Sequence, residues 1–225
     1  MAKVENSQAM YKIVFNNDYF IVVDKSANVL SVPSRLGQKE ARPVLGLMLE
    51  RDLGLSLYPV HRLDFEVQGL IMFAKTPKAQ SAGNMWFEQK IIQKTYQALT
   101  QALPKNSEPF RVGEHFQWRA RLLRGKKRAY ESPHGKESIT EAFLESIDQL
   151  GIYHWELRPI TGRAHQLRYE LFRHQIPIVG DTLYGSDVKF AEVGIALRAY
   201  KIDLSKIENR NEFLLPEIIL VKKFQ

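Results

Sequence analysis

The chain has 225 residues, 44% of them hydrophobic and 25% charged, the balance of a folded globular protein rather than a disordered one. Thirty-two Lys and Arg against 25 Asp and Glu give a net charge of +7, which favours polyanions such as nucleic acid or an anionic membrane. With no cysteine, disulfides, thiolate nucleophiles and Cys-ligated metal sites are excluded, and a reducing compartment such as the cytoplasm suits the composition.

Residues 1–10 are polar and read as a frayed arm. Residues 12–15 and 19–24 then read as strands around the turn Asn16-Asn17-Asp18. A short apolar run at 29–32 ends at Pro33, and 33–43 is polar, Gly/Pro-containing loop. Val44, Leu47 and Met48 stand at helical spacing, predicting a helix that ends near Gly54. Residues 59–67 have neither period and read as irregular loop, followed by a buried strand over 69–75. Thr76 and Pro77 predict a helix start, with Thr as N-cap and Pro as first helical residue, running to about Lys90. A strand over 94–100, a loop over 104–113 and antiparallel strands over 114–147, with turns near Gly125 and Gly135, come next. Residues 152–160 form a strand, 163–174 a helix capped by Thr161, and 194–204 and 216–222 the closing strands. The apolar runs fall far short of the ~20 residues that cross a bilayer. Strands outnumber helices and neighbour one another, so the fold class is α+β with a large, mostly antiparallel sheet and flanking helices and loops.

Four strings carry chemistry. In His61-Arg62-Leu63-Asp64 a cation stands two residues before a carboxylate, on a loop between rigid elements. Such an Asp can act as nucleophile or general base; as a short string it also suits surface or capping charges. In Thr161-Gly162-Arg163-Ala164-His165-Gln166-Leu167-Arg168 the spacing puts Arg163 at the positive end of a helix, a place for phosphate or carboxylate. His165 reads there as a structural hydrogen bonder, and Arg168 as either a solvated charge or half of a buried pair. In the turn 177–185, Pro177 and two glycines shape the backbone and Asp181 is expected to bond local amides. Finally, residues 121–128 hold five basic side chains in eight. Arg124, Lys126, Lys127 and Arg128 crowd a hairpin tip that suits phosphate contacts or a solvated turn.

HRLD, GLIMFAKT, QKTYQAL, PITGRAHQLR and PIVGDTLYG, in this order, resemble the RluA-type family of RNA pseudouridine synthases. The stretch VVDKSANVLSVPSR is similar to that family's opening strands, and the likeness covers about residues 11–204. The resemblance implies a pseudouridine synthase fold, with an active-site cleft across the sheet. It also implies isomerisation of uridine in RNA with no metal and no organic cofactor. Asp64 matches the catalytic aspartate, Arg62 the arginine that extracts the nucleotide, Tyr96 the aromatic that stacks on uracil, and Arg168 the basic residue that pairs with the aspartate. His61, Arg163 and the hairpin residues are expected to contact RNA. Val67-Gln68 before Gly69, Ala164, Arg198 and Lys25-Ser26 depart from the family pattern. Residues 11–225 are expected to form one catalytic domain, a monomer without a separate N-terminal RNA-binding domain or an obligate protein partner. The target is expected to be an rRNA or tRNA stem-loop. The departures leave a non-catalytic RNA-binding protein as the alternative, while a glycoside hydrolase needs a second carboxylate, for which Glu66 is the only close partner in sequence.

Overall fold

The computed structural model describes residues 10–34, 37–101, 103 and 110–224, so most of the expected N-terminal arm lies outside the described residues. In chain order the elements are β1 Tyr11–Asn16, β2 Phe20–Lys25, α1 Leu45–Leu53, β3 Tyr58–Pro59, β4 Gln68–Ala74, α2 Pro77–Glu88 and β5 Gln93–Thr100. There follow β6 His115–Arg124, β7 Ala129–Glu131, β8 Lys136–Ile147, β9 Tyr153–Pro159, α3 Gln166–Arg173, β10 Leu197–Asp203 and β11 Ile218–Leu220. The class is α+β, and each pairing between these strands whose register is defined is antiparallel. The chain forms two compact units, Met1–Ile92 with Ala199–Lys222, and Gln93–Arg198 with Lys223–Gln225.

In the first unit β1 pairs β2, and β2 pairs β4 along its whole length, Phe20 opposite Ala74 and Lys25 opposite Gly69. The β1–β2 turn forms because Asn17 Oδ1 accepts the amides of Tyr19 and Phe20, both at 2.8 Å. Every residue of β4 is buried, which is why its sequence after Gln68 is apolar without alternation. One face, with Leu70, Met72 and Ala74, joins Phe20, Val22, Trp86 of α2 and Phe213 in one cluster. Helix α2 starts as the sequence predicts: Thr76 Oγ1 accepts the Ala79 amide at 3.1 Å and Pro77 is the first helical residue. Helix α1 ends on Gly54, whose φ of 68° is the left-handed cap that glycine adopts freely.

In the second unit the strand order is β5-β9-β8-β6-β7. The inward row holds Tyr96, Ala98, Leu157, Trp155, Leu144 and Trp118. Trp155 Nε1 donates to Thr100 Oγ1 at 3.0 Å, so its one polar atom is satisfied in the core. The outward row of β6, β8 and β9 alternates to Arg119, Glu137, Glu141, Glu156 and Arg158.

Helix α3 departs from its sequence-based start. Thr161 does not cap it; His165 does, at φ 52°, and the helix begins three residues after Arg163. The reason is competition for the cap. Thr161 Oγ1 accepts the Ile139 amide at 2.9 Å and donates to Gln166 Oε1 at 2.8 Å. That same Gln166 oxygen accepts the Arg163 amide at 3.0 Å, closing the loop the threonine was expected to close.

Candidate functional site

Asp64 stands on a segment without regular structure, its neighbours Leu63 and Val67 buried and its own side chain partly exposed. The backbone around it is held from both sides. The Ser31 hydroxyl accepts the Leu63 amide at 3.0 Å and donates to the Leu63 carbonyl at 2.8 Å. Past Asp64, the Phe65 carbonyl accepts from the Asn28 amide at 2.8 Å and from Lys25 Nζ at 3.4 Å. Lys25 is only 1% exposed; its ammonium also bonds the carbonyls of Ser26 and Val29, both at 2.9 Å. Burial pushes its pKa down to about 8, against the opposing pull of the Asp64 and Glu66 carboxylates. A charged lysine therefore lies beneath the loop that presents Asp64, and Arg62 projects from that loop into solvent.

His61 ties the loop to its neighbours. Its Nε2 accepts the Met72 amide at 3.0 Å and its ring lies 4.6 Å from that of Phe87, so it packs the loop onto β4 and α2. An imidazole accepting at Nε2 carries its proton on Nδ1 and is neutral. Gly83 of α2 belongs to the same seam: a Cβ there would come within 2.7 Å of Val60 Cγ1.

In the second unit Tyr96 sits on β5 opposite Leu157, buried, with Lys94 Nζ 5.9 Å from its ring centre. Arg168 is 1% exposed and forms a two-pronged pair with Asp181, Nε to Oδ2 at 2.6 Å and Nη2 to Oδ1 at 2.7 Å. Of its two sequence readings the buried pair is the one found. Asp181, expected to bond local amides, is instead the carboxylate that orients this guanidinium. Arg163 bonds the Glu137 carbonyl through Nε at 2.7 Å and lies outside the helix whose positive end it was expected to mark.

The basic tip, residues 125–128, joins β6 to β7, and Arg124, Lys126, Lys127 and Arg128 are all exposed. Its base is tied to α3. Arg173 Nη2 donates to the Arg119 carbonyl at 2.9 Å, and Arg128 lies 5.6 Å from the Phe172 ring centre. At the same helix end Glu170 is buried, its carboxyl raised by desolvation, and burial lowers His174 to about 4. Among the described residues no group of three His, Asp or Glu side chains is placed to hold a metal ion.

Sequence reading missed Ser31 and Lys25 as anchors of the loop that carries Asp64, and Asp181 as the partner of Arg168. The signal for Lys25 was present: a lysine ending the run Phe20–Lys25, whose other residues but one are apolar.

Sheet, loop and basic hairpin define an α+β protein of the pseudouridylate synthase fold. Two human structures share it: RNA pseudouridylate synthase domain containing 4 (TM-score 0.67, 20% identity, covering 95% of this chain and 88% of that one) and domain containing 1 (0.66, 19%, 100% and 93%). Residues 19–173 match the family model described as RNA pseudouridylate synthase, and the chain belongs to that family. A Helicobacter pylori protein called an uncharacterized RNA pseudouridine synthase is 34% identical over 77% of this chain and 58% of its own length. The dual-specificity RNA pseudouridine synthase RluA of Escherichia coli O157:H7 is 31% identical over 77% of each chain. The tRNA pseudouridine synthase C of Vibrio cholerae is 28% identical over 80% of this chain and 76% of its own. The match spans under three fifths of the two Helicobacter pylori relatives.

Proposed function

We propose that this protein converts uridine to pseudouridine in a structured RNA, with Asp64 as the catalytic carboxylate. The observation that carries the reading is Asp64 itself, on a loop clamped at Leu63 by Ser31 and at Phe65 by Lys25, within the span matched by the family. A carboxylate held this way meets the sugar with little reorganisation. The N1–C1′ bond breaks, uracil turns, C5 bonds to C1′, and the proton lost from C5 is balanced by one gained at N1. In this reading Arg62 takes the nucleotide out of its stack, Tyr96 receives the uracil face, and Arg168 is the cation of the site. Extraction costs a few kcal/mol, and stacking on a tyrosine returns roughly 1–3 kcal/mol. The target in this reading is a stem-loop of tRNA or rRNA; the name of the Vibrio cholerae relative, a tRNA pseudouridine synthase, supports the first. We place the reaction in the cytoplasm, with the protein acting as a monomer.

The test maps pseudouridine in total RNA from cells with the gene intact, deleted, or carrying Asp64→Asn. Sites absent from both altered strains establish enzyme, target and catalytic group together. A deletion that loses no site overturns the activity; sites that survive Asp64→Asn overturn the role of Asp64.

A further inference from the structure

The turn 178–185 sends two buried side chains to different places. Asp181 holds Arg168. Tyr184, 1% exposed, reaches the root of the basic hairpin: its hydroxyl accepts the Ala129 amide at 2.8 Å. The same oxygen stands 3.2 Å from His165 Nδ1, the residue that opens α3. Its ring packs 5.3 Å from the Arg168 guanidinium carbon and 5.7 Å from Phe172, the ring that Arg128 covers.

The Ala129 amide needs this partner. Arg128 and Gly125 close the hairpin tip through the Gly125 amide, and β7 is the last strand of its order. Ala129 is buried, so without the tyrosine oxygen its N–H faces an interior with no strand beyond it. Because the hydroxyl accepts from Ala129, its own proton is left for His165 Nδ1 or, at 3.5 Å, the Ala129 carbonyl.

We infer that Tyr184 is a positioning residue for RNA binding: one hydroxyl fixes where the basic hairpin starts relative to His165, the N-cap of α3, and so sets the tip that meets the phosphates. This rests on the proposed RNA reading of the site. It separates two tasks within one turn, Asp181 serving Arg168 and Tyr184 serving the hairpin.

Tyr184→Phe keeps the ring and its contacts and deletes only the hydroxyl. Affinity for unfractionated tRNA is measured for the full chain, for Tyr184→Phe, for the tip variant Lys126→Ala with Lys127→Ala, and for the combination. Tyr184→Phe is expected to weaken binding at least fivefold, and its effect is expected to shrink to under twofold in the tip variant. Turnover at saturating RNA is expected to fall less for Tyr184→Phe than for Asp181→Asn, so that the loss in Tyr184→Phe lies mainly in KM. Unchanged affinity in Tyr184→Phe, or an equal effect with and without the tip lysines, overturns the inference. A wild-type chain that binds tRNA through Tyr184 yet forms no pseudouridine overturns the proposed activity and leaves this inference standing.

Discussion

Lys25 shows how one side chain can set the chemistry of another. Its pKa of about 8 lies below the usual value of 10.5, so the native state resists a proton that the unfolded chain keeps. Between about pH 8 and 10.5 the unfolded state binds more protons, and stability contributed at this site rises with pH. Below about pH 8 the whole penalty is present, a difference on the order of 3 kcal/mol. Lys25→Met removes both the penalty and the bond to the Phe65 carbonyl. In urea unfolding, wild type is expected to gain about 3 kcal/mol on the variant as pH climbs through that window; a constant difference contradicts the buried ammonium. Turnover of the variant is expected to fall about tenfold or more with RNA affinity unchanged, because the loop carrying Asp64 loses its lower anchor. At this scale the sequence spoke unevenly. Asp64 and Arg62 stand out as a charged pair in a loop, but Lys25 gives its partners no mark in the sequence, since they are backbone carbonyls.

Among the elements, the start of α2 was legible to the residue because its cap is local: Thr76 and Ala79 are three apart, and Pro77 has no amide to satisfy. Helix α3 was misplaced because its loop is closed by Gln166 and by the Ile139 backbone, a partner 22 residues from Thr161. Strand β4 was legible from its apolar run, yet not the constraint at its start. Gly69 has φ 114°, and a Cβ there would come 2.2 Å from the Ala199 carbonyl oxygen of β10. Gly162, in the other motif, meets nothing within 4 Å and has no positive φ. Two glycines that look alike in the sequence thus differ in what they tolerate. Gly69→Ala is expected to destabilise the protein by about 3 kcal/mol or more, through backbone clash and an unfavourable φ together, whereas Gly162→Ala stays within about 1 kcal/mol. Chemical denaturation of the two variants side by side checks this; equal midpoints contradict it.

Over the whole molecule, five motifs in order identify the family even though each is weak alone. The two units were not legible, because the first closes only when residues 199–222 return to it, and composition does not change at 92–93. The charge balance of +7 likewise hides a division of labour. On the outward sheet face arginines meet carboxylates, Arg119 with Glu137 at 3.3 Å and Arg158 with Glu156 at 2.6 Å. At the hairpin tip Arg124, Lys126 and Lys127 have no carboxylate within salt-bridge distance among the described residues. A paired arginine must give up its carboxylate before it can neutralise a phosphate; a solvated one releases a counterion from the RNA at once. Each phosphate contact contributes roughly 0.7–0.9 to the slope of log affinity against log salt. Replacing Arg124, Lys126 and Lys127 by Gln is therefore expected to flatten that slope by about 2, while Arg119→Gln with Arg158→Gln leaves it nearly unchanged. Fluorescence anisotropy with a labelled RNA stem-loop from 50 to 300 mM KCl, a range set by where such slopes are read, measures both. Equal flattening by the two sets contradicts this division, and flattening by the arginine pair alone means that the sheet face, rather than the hairpin, carries the RNA.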